Sequence, residues 1–323
     1  MTKPSRIVVI GAGAMGSNHS RSIAMNDGLE LAGVVDLDLG RARQVADRFG
    51  STAHSDIDAA LAGEDIDGVV IATTTAAHFE TAKQMIERGM PLFVEKPITD
   101  DLGLTRSLVE LSERARTVLM CGFVERFNPA VRTALGMLDE PMKHFMSTRH
   151  SPVNPRATAS VVYDLLIHDI DLALAFHGRD SSMPSVDSIG WFPQGSSVDE
   201  ISDCLLKFDD GSIASLSASR QGQRKVRDIR VVTDTHLFEI DLLRVNVTVY
   251  RNVMQDVVQS GGTSSYRAET VVDMPFVRHE GEPLALQMRH FMGLIRGEAD
   301  PDVERASLLL PHMIAERAVN SAG

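Results

Sequence analysis

Residues 6–16 read Arg6-Ile7-Val8-Val9-Ile10-Gly11-Ala12-Gly13-Ala14-Met15-Gly16, an apolar run followed at once by three spaced glycines. The run predicts a short buried strand, and a helical pattern continues from the glycines to about Asn26. In this context Gly11 allows a tight turn, Gly13 lets the backbone approach a pyrophosphate and Gly16 lets the helix pack on the strand. The helix N-terminus offers free N–H groups to phosphates. We therefore predict a dinucleotide-binding Rossmann unit in which residues 11–16 contact the cofactor.

The next predicted strand, Leu29 to Val35, ends at Asp36. A carboxylate at this position can accept the ribose hydroxyls of the adenosine half, and it repels a 2′-phosphate. Arg41 and Arg43 follow on a helix that Asp38 is expected to cap, so the strand end itself stays negative. The pattern favours NAD over NADP.

Helices and strands then alternate to residue 122, which predicts right-handed β-α-β units and a parallel sheet. The predicted helices are Ala42–Phe49, Ile57–Ala62 with Ser55 as its cap, Phe79–Arg88 and Leu102–Ala115. The strand from Gly68 to Ala72 runs into Thr73, Thr74, Thr75 and then His78. These side chains can line the cofactor cleft, although each threonine can equally serve as a helix cap.

The stretch Phe93-Val94-Glu95-Lys96-Pro97 places an acid and a base directly after a buried strand. Open α/β sheets bind ligands at the carboxyl ends of their strands, so Lys96 is a candidate for both cofactor contact and catalysis, with Glu95 beside the cofactor. The alternative is that both are ordinary solvated charges.

After residue 122 the pattern changes to strands followed by strands. Segments 203–208 and 212–219, joined by Asp209-Asp210-Gly211, predict a β-hairpin. We expect an α/β Rossmann domain over residues 1–122 and an α+β domain over 123–323 with an open, mostly antiparallel sheet. The last helices, near Leu284–Arg296 and Glu304–Asn320, are expected to be supporting elements that can pack back on the first domain.

One helical stretch, Val161 to Phe176, carries Asp164 and His168 four residues apart. On a helix this spacing lets a carboxylate orient an imidazole, which suits a catalytic base. A satisfied histidine on an amphipathic helix is the alternative. A metal site is disfavoured because Asp169 and Asp171 point to other faces, so no metal is expected.

Composition limits the remaining possibilities. The chain has 323 residues, 43% of them hydrophobic, and a formal net charge of −12, which argues against nucleic-acid binding. Its longest apolar runs are strand-sized, so we expect no membrane span and a cytoplasmic protein. Cys121 and Cys204 lack metal or redox spacing. The basic stretch Arg220–Arg230 is expected to face an anionic substrate or a neighbouring subunit.

Together, Gly11–Gly16 with His19, Ile71–His78, Glu95-Lys96-Pro97 and Asp164-x-x-x-His168 resemble the glucose-fructose oxidoreductase, inositol dehydrogenase and MocA (Gfo/Idh/MocA) family. The resemblance implies that Lys96, Asp164 and His168 lie beside the nicotinamide and the reacting carbinol. It also implies dimers or tetramers formed through the second sheet.

A narrower similarity, in residues 125–131 and 161–172, is to the branch that contains UDP-N-acetylglucosamine 3-dehydrogenases. It makes Arg126 and Asn128 candidate substrate contacts, and Arg149 and Arg156 would suit a diphosphate. The resulting hypothesis is an NAD-dependent dehydrogenase of a sugar, cyclitol or nucleotide-sugar. The alternatives are an NAD-binding sensor or co-regulator without catalysis, and a reductase of an unsaturated or imine bond.

Overall fold

A computed structural model describes residues 3–62, 65–153, 159–178, 182–258 and 264–322. The chain divides into two compact units, one of Met1–Phe127 with Gly281–Glu316 and the other of Asn128–Glu280 with Arg317–Gly323. Residues 281–316 therefore belong to the first unit, whereas a single boundary at 122 assigns them to the second. The reason is burial, because Met288, Phe291 and Leu294 lie in the same hydrophobic core as Ile7 and Phe93.

The first unit contains a parallel sheet in the order β3-β2-β1-β4-β5-β6. Its strands are β1 (Ser5–Ile10), β2 (Leu29–Val35), β3 (Thr52–His54), β4 (Gly68–Ile71), β5 (Leu92–Val94) and β6 (Leu119–Cys121). The order reverses between β1 and β4, which is the point where doubly wound sheets bind ligands. The predicted Rossmann topology is confirmed.

The second unit contains a sheet in the order β14-β13-β12-β11-β7-β10-β9-β8. Its neighbours pair antiparallel except for β7 and β10, which are parallel. The strands are β7 (His144–His150), β8 (Ser185–Trp191), β9 (Ile201–Lys207), β10 (Ile213–Ser219), β11 (Val226–Val232), β12 (His236–Asp241), β13 (Asn246–Val258) and β14 (Ser264–Asp273). The predicted hairpin is β9–β10, and the mostly antiparallel character of the sheet is confirmed.

The helices follow the predicted periodicity closely. They are α1 (Ala14–Ala24), α2 (Leu39–Phe49), α3 (Ile57–Leu61), α4 (Thr75–Glu87), α5 (Leu102–Ala115), α6 (Pro129–Met137), α7 (Ile167–His177), α8 (Pro283–Ile295), α9 (Pro301–Ala306) and α10 (Leu309–Ser321). A 3₁₀ turn spans Val124–Phe127 and a π-helical turn spans Val162–Leu166. In the described residues, no helix combines the length and apolarity that a bilayer crossing requires.

Several helix boundaries differ from the sequence prediction, and α2 begins at Leu39, three residues before the predicted start at Ala42. Asp56, not Ser55, caps α3, because its carboxylate accepts the N–H of Ala59 at 2.9 Å. The helix α4 begins at Thr75, four residues before the predicted start at Phe79. The segment predicted as one helix from Glu304 to Asn320 forms α9 and α10 instead.

Candidate cofactor site and catalytic residues

A cavity of about 650 Å³ lies at the carboxyl ends of β1, β2 and β4. Of the residues predicted to contact the cofactor, those that line it are Gly11, Gly13, Ala14, Met15, Asp36, Thr73 and Thr74. Its far wall comes from the start of α3 and from Ala77, Thr81 and Gln84 of α4. The strand ends and the glycine turn therefore converge on one space of a size typical for small-molecule sites.

The glycines fit the dinucleotide role that their spacing predicts. Gly11 has φ +104°, and a Cβ there would lie 2.5 Å from the carbonyl oxygen of Ala72. A Cβ on Gly16 would lie 1.7 Å from the carbonyl oxygen of Gly11, so α1 packs on the turn only with glycine there. A Cβ on Gly13 meets nothing within 4 Å, which leaves that backbone open to a pyrophosphate. NAD fits these residues.

Asp36 is fixed at the cavity wall by three donors. Its Oδ2 accepts the N–H of Ala12 at 2.9 Å, and its Oδ1 accepts the N–H of Asp38 at 2.9 Å and pairs with Arg41 at 3.2 Å. Asp38 caps α2 as predicted, and its bonds with the Arg41 N–H, the Gly40 N–H and the Arg41 side chain hold the pKa of Asp38 below its ordinary value. The carboxylate of Asp36 therefore faces the cavity in a fixed orientation, and Arg41 neutralises part of its charge.

Six other predicted cofactor residues lie outside the lining of this cavity, for different reasons. The N–H of Ala12 bonds to Asp36, and Gly16 packs against the carbonyl of Gly11. Thr75 starts α4, directly after the Thr74 cap position. Lys96 and Glu95 follow β5 instead of bordering the cavity. His78 is fully buried, and its Nδ1 bonds to the carbonyl oxygens of Pro97 at 3.0 Å and Ile98 at 3.2 Å. We correct the expectation for His78, because its burial and its bonds hold it against the Lys96 loop, not against the cavity.

Lys96 is half-buried at the end of β5, and its peptide bond to Pro97 is cis. The preceding side chain, Glu95, is buried, and its Oε1 lies 2.6 Å from Nε2 of His19. Burial opposes the ionisation of Glu95, but the hydrogen bond and charge of His19 and the charge and N–H of Lys96 outweigh it, so the pKa of Glu95 is lowered. The carboxylate of Glu95 thus stays charged beside Lys96, and the expectation of two solvated charges is wrong for Glu95.

In the second unit, Asp164 lies in the π-helical turn and His168 in the first turn of α7. The sequence predicted one regular helix here, but π-turns interrupt α-helices frequently at functional sites. His168 is buried, whereas the side chain of Asp164 is about one-third exposed. Asp164 pairs with Arg220 at 3.3 Å, a partner that its position in the sequence did not reveal.

Arg220 is buried in the second unit, with 1% of its surface exposed. Its Nε and Nη2 bond to the carboxylate of Glu200, both at 3.0 Å. Its other donors reach Asp164 and the carbonyl oxygens of Ala159 and Asp199. The prediction that Arg220 faces an anionic substrate or a neighbouring subunit is therefore wrong, because a guanidinium with all its donors used inside the fold has none to offer.

The candidate substrate contacts also have partners within the chain. Arg149 is buried and forms a bidentate ion pair with Asp169, in which Nη2 donates to Oδ1 at 2.8 Å and Nε donates to Oδ2 at 2.9 Å. Asn128 is buried, caps α6 and donates to the carbonyl oxygen of Leu242. Arg126 pairs with Glu304 at 3.3 Å. In this structure these three side chains bond within the chain, which argues against their assignment as substrate contacts, and Arg156 lies outside the described residues.

Within the described part of the chain, no cluster of three or more histidine, cysteine, aspartate or glutamate side chains is arranged to hold a metal ion. Asp169 is engaged with Arg149, and Asp171 is buried.

Two models of one family match the chain and together span more than half of it. The model described as an oxidoreductase family with an NAD-binding Rossmann fold, Gfo/Idh/MocA, matches residues 5–123, and the Gfo/Idh/MocA C-terminal domain matches residues 137–239.

Individual proteins are similar over most of their length. The UDP-N-acetylglucosamine 3-dehydrogenase of Acidithiobacillus ferrooxidans is 28% identical over 87% of this chain and 83% of its own. The scyllo-inositol 2-dehydrogenase (NAD(+)) of Bacillus subtilis is 26% identical over 98% of this chain and 93% of its own. A solved structure of the Acidithiobacillus enzyme superposes with a TM-score of 0.82 at 25% identity, covering 99% of both chains.

Proposed function

Because the chain belongs to the Gfo/Idh/MocA family, we propose that it oxidises a secondary hydroxyl of a sugar, cyclitol or nucleotide-sugar. Membership makes it an NAD-binding oxidoreductase. The observation that carries the proposal is the cavity at the carboxyl edge of the sheet, with the glycine turn on one side and the fixed carboxylate of Asp36 on another. The substrate class rests on the two relatives above, whose named substrates, a nucleotide-sugar and a cyclitol, both carry secondary hydroxyls.

Each residue has a distinct proposed task. Residues 11–16 bind the pyrophosphate of NAD through their backbone, and Asp36 accepts the ribose hydroxyls. Bound NAD supplies the hydride acceptor at nicotinamide C4. His168 accepts the proton of the substrate hydroxyl, and Lys96 donates a hydrogen bond to the same oxygen. The reverse assignment of base and donor serves the chemistry equally well.

Asp164 is proposed to act on His168 from the π-helical turn. A carboxylate near an imidazole stabilises the imidazolium that forms when the base takes up a proton. Its ion pair with Arg220 fixes the carboxylate in place. Arg126, Asn128 and Arg149 are not included among the proposed substrate contacts, because the fold already uses their polar groups. Arg156 keeps its proposed role toward a diphosphate.

We also propose a homodimer or homotetramer formed through the open face of the second sheet. Ile189 of β8, Leu205 of β9 and Ile213 of β10 share this face and are 79%, 57% and 41% exposed. Contiguous exposed apolar side chains on a sheet mark interaction surfaces. We place the protein in the cytoplasm, where the free thiols of Cys121 and Cys204 stay reduced. Light scattering after gel filtration tests the oligomer.

The enzyme assignment is tested by a screen of polyols, sugars and UDP-sugars, in which NADH absorbance is followed with NAD or NADP. With the substrate found, Lys96→Ala and His168→Ala should lower turnover by about 10²-fold or more while NAD binding stays near wild type. Lys83→Ala is the control, because Lys83 is a half-buried residue of α4 that does not line the cofactor cavity. Wild-type turnover in both site variants would contradict the roles of Lys96 and His168. If the wild-type protein binds NAD but turns over no compound in the screen, the NAD-binding sensor is favoured.

A further inference from the structure

Lys96 is the one partly exposed residue in an otherwise buried run from Leu92 to Thr99. The sheet holds this run only as far as Glu95, whose N–H bonds to the carbonyl oxygen of Ile71 at 2.9 Å. Beyond that point the backbone groups need other partners, because buried N–H and C=O groups are costly when unpaired. Whatever holds residues 95–98 therefore also fixes the backbone from which the Lys96 side chain extends.

The first partner is His19 of α1, which is fully buried. Its Nε2 lies 2.6 Å from Oε1 of Glu95, and its ring packs edge-on against Phe93 with centroids 5.0 Å apart. The other oxygen of Glu95 accepts the backbone N–H of Lys96 at 3.1 Å. His19 thus acts on Lys96 through one intervening carboxylate.

The second partner is His78 of α4, which is 1% exposed. Its Nδ1 lies 3.0 Å from the carbonyl oxygen of Pro97 and 3.2 Å from that of Ile98. Both neighbours are acceptors, so Nδ1 carries the proton and donates to the two residues that follow Lys96.

The third partner is His312 of α10, also 1% exposed. The N–H of Ile98 donates to its Nε2 at 3.1 Å, and its Nδ1 lies 2.7 Å from the carbonyl oxygen of Leu308. A ring nitrogen that accepts from an amide must be unprotonated, so Nδ1 is the donor and His312 is neutral. The loop after Lys96 is thereby tied to the last helix.

We propose that His19, His78 and His312 form a histidine clamp that positions Lys96 for catalysis, an inference that rests on the proposed role of Lys96. The clamp takes one residue from each of three helices, yet its bonds fall on three of the four consecutive residues 95–98. A leucine at these buried positions would fill space but supply neither a donor for the Pro97 carbonyl nor an acceptor for the Ile98 N–H. His78 supplies that donor and His312 that acceptor, while His19 holds the carboxylate of Glu95. None of the three lines the cofactor cavity.

The disrupting variants are His78→Leu and His312→Asn, whose shorter side chain cannot span from Ile98 to Leu308. His312→Gln is the rescue variant, because its amide offers an acceptor and a donor on separate atoms. His290→Leu is the matched control, since His290 also lies near a carboxylate, Glu304 at 3.3 Å, and its ring packs against Phe127, outside the clamp. All four are first checked for folding by circular dichroism.

The first readout needs no substrate. Acetylation of Lys96 by a water-soluble active ester is measured by peptide mass spectrometry relative to Lys83, with and without NAD. We expect His78→Leu and His312→Asn to raise the relative rate at Lys96, and His312→Gln and His290→Leu to leave it near wild type. Calorimetric NAD affinity should be unchanged in all four variants.

The second readout is turnover on the substrate that the screen identifies. We expect a fall in kcat of about 10²-fold in the disrupting variants, with the KM for NAD unchanged and recovery in His312→Gln, as for a misplaced catalytic group. Unchanged Lys96 labelling in either folded disrupting variant overturns the clamp. If one of them does not fold, the other decides. If the labelling of Lys96 changes as expected but the screen identifies no substrate, the clamp is upheld and the proposed function is not.

Discussion

The guanidinium of Arg220 lies 3.3 Å from the carboxylate of Asp164. It also donates hydrogen bonds to Glu200 and to two backbone carbonyl oxygens. An arginine has five N–H donors in a planar fork, and here five hydrogen bonds use them. Lysine keeps the charge but offers three donors from a single point. Arg220 is therefore the side chain that joins the π-helical turn to the segment around Glu200.

Replacing Arg220 with lysine should lower the free energy of unfolding by about 1–3 kcal/mol, because at least two buried acceptors lose their donor. The matched control is Arg230→Lys, since Arg230 pairs with Glu239 on the exposed sheet face and such pairs contribute about 1 kcal/mol or less. Urea unfolding of both variants compares the two sites. Equal losses of unfolding free energy in the two variants would show that the buried hydrogen bonds of Arg220 stabilise the protein no more than the exposed ion pair of Arg230.

Replacing Asp36 with serine should weaken NAD binding and strengthen NADP binding. The carboxylate that we propose accepts the ribose hydroxyls and repels a 2′-phosphate is gone, and Arg41 loses one of its two anionic partners. Hydrogen bonds to charged groups contribute about 1.5–3 kcal/mol, so the NAD dissociation constant should rise by roughly 10- to 100-fold.

Calorimetric titration with both cofactors measures this change. Adding Arg41→Ala to the serine variant should remove the gain for NADP. Asp58→Asn serves as the control, because it removes another carboxylate from the same cavity but not from the end of β2. A serine variant that still prefers NAD would show that Asp36 does not set the preference.

Replacing Gly122 with alanine should disturb the Lys96 segment from the neighbouring strand. A Cβ there would lie 2.7 Å from Oε2 of Glu95 and 3.0 Å from the backbone nitrogen of Lys96. Glu95 is tied to His19 and cannot move freely, so we expect a loss of about 1–3 kcal/mol in unfolding free energy. Gly136→Ala in α6 has nothing within 4 Å of the added Cβ and should stabilise by about 0.5–1 kcal/mol. Thermal unfolding of the two variants measures this difference. A Gly122→Ala variant as stable as Gly136→Ala would show that an added Cβ at Gly122 is accommodated.

Glu140 makes the stability of the second unit depend on pH in the acid range. Its carboxylate accepts from the hydroxyls of Thr233 at 2.6 Å and Thr235 at 2.7 Å, and these bonds lower the pKa of Glu140 from 4.5 to about 2. A depressed folded-state pKa means that the stabilisation is fully present above pH 4.5 and is lost as the pH falls towards 2.

Glu140→Gln should therefore destabilise the protein at neutral pH, and its difference from wild type should shrink as the pH falls through that window. Unfolding midpoints in urea as a function of pH measure this difference. Asp139→Asn, which removes the exposed acid next in sequence, is the control. A difference that is constant with pH would contradict the role of the carboxylate charge.

Local patterns determined most of the fold. The bounds of α5, the end of α2, the Asp38 cap and the β9–β10 hairpin followed from periodicity and turn residues, because each is set by contacts between residues close in sequence. The glycine turn and Asp36 followed in the same way, since the strand, turn and helix form one short continuous segment. Helix starts were less certain, as at α4, because several neighbouring residues can serve as the cap.

The candidate site was predicted only in part. The sequence singled out Lys96, Asp164 and His168 by motif and spacing, but it gave no sign of which side chains hold them. Arg220 was expected to face an anionic substrate or a neighbouring subunit and is buried. Arg149 was expected at a substrate and pairs with Asp169. Burial of a charged residue depends on a partner from another element, and no local pattern encodes that partner.

By itself, then, the sequence determined the two sheets and the cofactor turn, and it singled out the candidate reactive side chains. Only the tertiary structure decided how those side chains are supported. His312 bonds to Ile98 across 214 residues of sequence, and the segment 281–316 returns to the first unit to bring it there. The physical reason is that hydrophobic periodicity reports which face of an element is buried, whereas a buried hydrogen bond depends on which two elements meet.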